Sequence, residues 1–232
     1  MTEASIDVAE MPYPGYLLRR VLQPGEVHKA RVVKVLKDGE RFVVKDVSGM
    51  HGFLRWLYGR RMLDREARAL EGLAGSTHVP RLIARMSRDV IVMERIKGKP
   101  LHHKKVVRLW MNEALDSLGV AIAEMHARGF VHLDLRQREN ILVRTGGHVT
   151  LIDFESAFDL SRGFIRRRVL FPMLARIDRH ALLKWRYRFA RDSLSKRERR
   201  RVKSYGRFRR LWKLKRIGRW FRKRFERSTN TG

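Results

Sequence analysis

Asp134, Arg136, Arg138 and Asn140 lie close together between Val131 and Val143, and Asp153 and Glu155 follow Leu151. Each group sits at the edge of a short apolar run, where a strand end can aim side chains into a cleft. An aspartate that accepts a hydroxyl proton, an asparagine and a second aspartate that hold divalent cations, and a lysine on phosphate oxygens make a set suited to phosphoryl transfer. Such chemistry needs oxygen ligands because Mg²⁺ is a hard cation. Either aspartate alone is an ordinary cap or turn residue; the pair, each beside apolar runs, asks for more. The lysine candidate is Lys45, which ends the apolar run Phe42, Val43, Val44. Taken alone, a strand lysine is a solvated edge residue. Glu66 changes that reading, since on a helical wheel it falls in the stripe of Leu63, Leu70 and Leu73, whereas Glu71 falls on the far side. A carboxylate facing a core is costly without a cation, and Lys45 is the nearest candidate.

The elements that must position these residues can be read from apolar spacing. Runs at 30–35 and 42–45, joined through Asp38-Gly39, predict a β-hairpin. Apolar residues at helical spacing over 61–73 predict a helix, stopped by Gly75. Strands are expected at 81–86 and 90–96, with Gly98, Lys99 and Pro100 as a break. A long apolar helix spans 110–128 and ends at Gly129, and a second hairpin pairs 141–143 with 149–152. Beyond residue 160 the pattern predicts helices at 165–177, 180–189 and 196–225. Strands, helix, strands, long helix and hairpin, in that order, give an α+β chain.

On these residues the chain resembles the protein-kinase-like superfamily, especially its small bacterial, RIO-like and lipopolysaccharide-kinase-like members, over roughly residues 27–160. The resemblance implies a two-lobed fold with a reduced C-terminal lobe, and ATP with Mg²⁺ or Mn²⁺ between the lobes. Lys45 looks like the strand lysine on the α- and β-phosphates, and Glu66 like its helix partner. His132, Leu133 and Asp134 resemble the catalytic-loop motif, which makes Asp134 the base, while Asn140 and Asp153 take the metal positions. The stretch Val92, Met93, Glu94, Arg95, Ile96 resembles the interlobe hinge, with the backbone at Met93 and Glu94 meeting adenine. Asn140 follows Asp134 by six residues, against five in the usual motif. Glu155 stands where the common triplet has glycine, no glycine-rich loop precedes Lys45, and no Ala-Pro-Glu segment follows Glu155. Arg136 and Arg138 have two readings, as cations for a phosphoryl group and as bridges to acidic neighbours. His102 and His103 read as loop residues.

The 232 residues include 44% hydrophobic side chains, enough for a core, and no cysteine, which excludes a disulfide scaffold or thiol nucleophile. No stretch approaches the roughly eighteen uninterrupted apolar residues of a membrane span. A cytoplasmic protein is expected, with peripheral attachment to the inner membrane face as an extension. Of 53 basic and 24 acidic residues, 26 and 20 lie in 1–160, leaving 53 − 26 = 27 and 24 − 20 = 4 in 161–232. The division expected is an N-terminal extension at 1–26, an N-lobe with hinge at 27–97, a C-lobe at 98–195 and a basic amphipathic tail at 196–232. In the tail, Trp212, Trp220, Phe221 and Phe225 interleave with arginine and lysine, which suits an anionic membrane surface, a nucleic acid, or simple packing on the body. The functional expectation is transfer of the ATP γ-phosphate to a hydroxyl acceptor, a protein serine or threonine, with a membrane glycolipid saccharide as the alternative. A pseudokinase that serves as a membrane- or nucleic-acid-binding module is the reading from another class.

Overall fold

The computed structural model describes residues 13–26 and 29–208. The chain divides into two compact units, Met1–Leu182 and Leu183–Gly232.

In the first unit, strands β1 (Leu17–Gln23), β2 (Arg31–Lys37), β3 (Glu40–Asp46), β4 (Leu82–Arg85) and β5 (Val90–Glu94) form an antiparallel sheet in the order β1-β2-β3-β5-β4. The β2–β3 connection is the expected two-residue turn. Asp38 and Gly39 have φ of 48° and 77°, the pair of positive angles that lets a hairpin follow the strand twist. The sheet begins earlier than the sequence suggests: β1 lies within residues assigned to an N-terminal extension, and it pairs with β2 along its length.

Alternation along β3 divides the labour between the two faces. Phe42 and Val44 join Val33, Val35 and Val92 in a core closed by Tyr13 and Tyr16. Val43 and Lys45 point the other way. Asp46, also buried, accepts a 2.7 Å hydrogen bond from the Tyr13 hydroxyl, which ties the start of the described chain to the end of β3.

A short helical turn α1 (Gly52–Leu54) runs through a wide turn at Arg55–Gly59 into α2 (Arg60–Gly72). The buried face of α2 is Leu63, Glu66, Ala67, Ala69 and Leu70, so the one acidic residue in it is the one the wheel had placed there. Strand β6 (Lys99–Pro100) occupies the predicted break. It pairs with β8 (Ile141–Val143), which pairs with β9 (Val149–Leu151). Helix α3 (Lys104–Leu109) is capped by His103, whose ring accepts from the Lys105 amide. Helix α4 (Met111–Ala127) buries Met111, Ala114, Leu115, Leu118, Ala121, Ile122 and Met125 at helical spacing. It stops at Gly129, where φ is +83°. Strand β7 (Phe130–Val131) then pairs with β10 (Phe158–Asp159).

After β10 the chain departs from expectation. The two helices predicted at 165–177 and 180–189 run together: the chain is helical from Phe164, passes through a wide π-helical turn at Arg166–Leu170 and continues as α5 (Phe171–Phe189) with no break after Ile177. In the second unit, α6 (Lys196–Phe208) opens on a reciprocal cap. The Glu198 amide donates to the Ser195 hydroxyl at 3.2 Å and the Ser195 amide to the Glu198 carboxylate at 2.9 Å. The aromatic residues expected to line the tail, Trp212, Trp220, Phe221 and Phe225, lie outside the described residues. No helix among the described residues is long and apolar enough to cross a membrane.

Candidate active site

Strand β3 presents Lys45 to α2, and the helix answers with Glu66: Nζ donates to Oε2 at 2.7 Å. The Glu66 side chain is 1% exposed, so the bond lies out of water, where an unpartnered carboxylate would be strongly disfavoured. Two further acceptors come from the segment after β9. The Lys45 ammonium also donates to Asp153 Oδ1 at 2.9 Å and to Glu155 Oε1 at 3.1 Å. Residues 45, 66, 153 and 155 thus meet at one nitrogen, across sequence separations of 21, 108 and 110.

Charge around that nitrogen is unbalanced. Burial alone draws the Lys45 ammonium down, but Glu66, Glu155 and Asp153 together outweigh it and hold its pKa well above the ordinary lysine value. For Glu66, burial against the pull of Lys45, reinforced by the charges of Asp153 and Glu155, raises the carboxyl to about 7. One ammonium faces three carboxylates whose oxygens lie within 4.8 Å of one another. Hard oxygen donors gathered with excess negative charge fit a divalent cation of the Mg²⁺ class, and Asp153, the most open of the three, is the one that would meet it.

The backbone at Asp153 has φ 67° and ψ 68°, a left-handed conformation that turns the chain sharply at the end of the apolar strand. Beside it, the Ile152 amide donates to the Asn140 carbonyl at 3.0 Å. The Asn140 side chain reaches the Asp134 carbonyl at 3.2 Å and its carboxylate at 3.5 Å. Asp134 also accepts from the Gln137 amide group. Lys45 is bonded to Asp153, the adjacent Ile152 amide to the Asn140 carbonyl, and the Asn140 side chain to Asp134, so the four candidates are linked through the backbone at 152–153. Longer spacing between Asp134 and Asn140 does not part them, because a turn at Arg138–Asn140 takes up the extra residue.

The loop carrying Asp134 is held from behind by a residue that sequence reading did not single out. Asp178 on α5 is fully buried and accepts the amides of His132 and Leu133, both at 2.8 Å, and the His126 ring at 3.1 Å. Leu133 has φ 65°, costly for a branched side chain, and the charge-assisted bond to its amide offsets that cost. The buried His132 ring donates to the Ile152 carbonyl at 3.1 Å, tying the two loops together. A carboxylate among the apolar residues Leu174, Ala175 and Ala181 was the available signal for Asp178, the same signal that exposed Glu66.

Met93 is buried on β5, and Glu94 follows at the strand end. The Glu94 amide donates to the Arg81 carbonyl at 2.9 Å, and its carboxylate accepts from Arg81 Nε at 3.3 Å. Its side chain is therefore engaged with Arg81, the residue that precedes β4. Arg138 pairs with its neighbour Glu139 at 3.0 Å, which is the bridging reading for that arginine.

A sheet lysine that pairs with a helix glutamate and also with the aspartate after a following hairpin is the arrangement of the protein-kinase-like class. Within that class, the RIO domain model matches residues 37–166, more than half of the chain and all seven candidate residues. The chain belongs to the RIO domain family. It is 30% identical over 175 residues to a probable SapB synthase of Streptomyces coelicolor, covering 66% of this chain and 18% of that protein. It is 34% identical over 162 residues to a probable bifunctional tRNA threonylcarbamoyladenosine biosynthesis protein of Methanoculleus marisnigri, covering 61% and 29%. Protein kinase kin1 of Schizosaccharomyces pombe is 25% identical over 162 residues, covering 60% and 18%. The chain spans less than a third of the length of each of these relatives.

Proposed function

We propose that the chain is an ATP-dependent kinase that transfers the γ-phosphoryl group to a serine or threonine hydroxyl of a protein. The observation that carries this reading is the Lys45 ammonium held by Glu66 at 2.7 Å and Asp153 at 2.9 Å. It joins the lysine proposed to hold phosphate to the aspartate proposed to hold the metal. Family membership and the kinase among the relatives support the same reading.

In the reaction, the acceptor oxygen forms a bond to the γ-phosphorus while the bond from that phosphorus to the β,γ-bridging oxygen breaks, releasing ADP. Asp134 orients the acceptor hydroxyl and takes its proton. Lys45, fixed by Glu66, holds the α- and β-phosphate oxygens so that the γ-group lies in line with the acceptor. Asn140 and Asp153 are the residues that would hold Mg²⁺ or Mn²⁺. The ion, when bound, supplies neutralisation of phosphate charge. The hinge backbone around Met93 and Glu94 would contact adenine through groups other than the Glu94 amide and side chain, both of which are engaged with Arg81.

The test is transfer of label from γ-labelled ATP to generic protein acceptors and to the chain itself, with Mg²⁺ or Mn²⁺, followed by phosphoamino-acid analysis. Phosphoserine or phosphothreonine formed by the wild type and lost in Asp134→Asn and Asp153→Ala is the expected result. Equal labelling by wild type and Asp153→Ala would overturn the proposal.

A further inference from the structure

Past β10, every residue from 162 to 170 is exposed, and five large apolar side chains at 164–173 are exposed as well. Phe164 is 77% exposed, Ile165 69% and Val169 57%, with Leu170 and Met173 open beside them. The stretch is helical from Phe164 onward, and Ile165, Val169 and Met173 recur four residues apart along it. Its other side is fully accounted for. Phe171, Leu174 and Ala175 pack with Val131, Leu133 and Leu160 behind the catalytic loop, and Asp178 grips the loop amides. The fold therefore needs the inner face and has no use for an apolar outer one. Large apolar side chains in contiguous exposure mark an interaction surface.

The charge on the same stretch decides what kind of partner fits. Between Asp159 and Asp178 there is no acidic residue, while Arg162, Arg166, Arg167, Arg168 and Arg176 are all exposed. Arg168 lies 5.9 Å from the Phe164 ring, so the cations are interleaved with the apolar groups. Arginine can lay its stem on apolar surface and carry its head outward to an anion. Exposed apolar side chains with arginines between them and no carboxylate to repel lipid phosphate are what an amphipathic helix presents to an anionic bilayer.

We infer that the outer face of residues 164–173 is a membrane-interfacial surface that seats the catalytic loop's support on an anionic phospholipid bilayer. The inference goes beyond kinase activity and does not depend on it. Because the chain has no cysteine, Val169→Cys in the full-length protein takes a single nitrobenzoxadiazole label, and Glu71→Cys, exposed on α2, gives the matched control. On mixing with vesicles of phosphatidylcholine and phosphatidylglycerol, the label at 169 shifts to the blue and brightens several-fold. It is then quenched by spin-labelled acyl chains, while the label at 71 stays aqueous. Phosphatidylcholine vesicles alone leave both labels unchanged. The triple variant Ile165→Glu, Val169→Glu, Met173→Glu, altered only at exposed positions and checked for an unchanged melt, loses about tenfold in vesicle partitioning. The inference fails if the protein co-sediments with anionic vesicles while the label at 169 remains in water, since other basic residues then do the binding. It also fails if that label is already buried without vesicles, which would mean that the chain's own tail or a second copy covers the face.

Discussion

An ammonium has three N–H donors, and at Lys45 all three are directed to carboxylates, at 2.7, 2.9 and 3.1 Å. Each phosphate oxygen that Lys45 takes must displace one of them. Glu66 is the least able to leave, because its carboxylate would remain buried without a cation. Glu155 makes the longest of the three contacts and has one more rotatable bond than Asp153, so under the proposed function it is the counter-ion that nucleotide would replace. Glu155→Gln should then bind metal-free ADP more tightly, by about tenfold, as read by calorimetry; unchanged or weaker binding would show that Glu155 is no competitor. Glu66 gives a second residue-scale expectation. Its carboxyl is raised from 4.5 to about 7 by burial, against Lys45 and with the help of Asp153 and Glu155. A carboxyl with a raised folded-state pKa binds its proton more tightly in the folded chain, so its contribution to stability is full below pH 4.5 and is lost as pH rises to about 7. Melting temperatures followed across that window should fall for the wild type relative to Glu66→Gln; parallel curves would contradict the assignment.

At the scale of elements, the loop carrying Asp134 is a suspended object: its left-handed Leu133 stays in place because α5 brings Asp178 to two of its amides. Asp178→Asn substitutes a donor where an acceptor is needed and should cost roughly 2–4 kcal/mol of stability in denaturant unfolding. Turnover should fall while nucleotide affinity holds, because Lys45 and β3 are untouched. The junction of α4 and β7 is as strict. At Gly129, φ is +83° and a Cβ would stand 2.6 Å from the Ser161 Cα, so Gly129→Ala should lower stability by about 2 kcal/mol or more. Which elements could be read in advance follows from the range of the forces that make them. The β2–β3 hairpin was legible because Asp38-Gly39 chooses its own turn, and α2 because its stripe is local. Lys45 and Glu66 could be paired from sequence since each is odd without the other. Strand β1 was not legible, because prolines and acidic residues around it read as an extension and its pairing with β2 is settled only when the sheet forms. The single helix α5 was divided in expectation at 178–180, where Asp178 and His180 interrupt the apolar pattern. The amides that satisfy Asp178 lie 45 and 46 residues away, beyond any local reading.

The whole molecule carries a formal charge of +29, and 27 − 4 = +23 of it belongs to residues 161–232. Composition makes the imbalance plain but does not say which basic residues share a face. That knowledge comes from the fold, which leaves Arg162 and Arg166 to Arg168 exposed together. Like charges at this density repel through the compact state more than through an expanded one, and the cost is long-range. Mobile ions screen it over a Debye length of about 8–10 Å at physiological strength. The same salt weakens exposed pairs such as Arg81 with Glu94, but each is worth under about 1 kcal/mol. The buried bond between Lys45 and Glu66 is screened far less. Repulsion is thus the larger salt-sensitive contribution, and the melting temperature should rise as potassium chloride is increased at constant pH. Chloride is the appropriate salt, because sulfate would also strengthen apolar burial and confuse the cause. Amide exchange at 162–182 should slow by the same titration more than exchange in β2 and β3, where acidic and basic residues are more evenly mixed. A melting temperature that stayed level or fell with chloride would mean that the basic residues are already compensated within the fold.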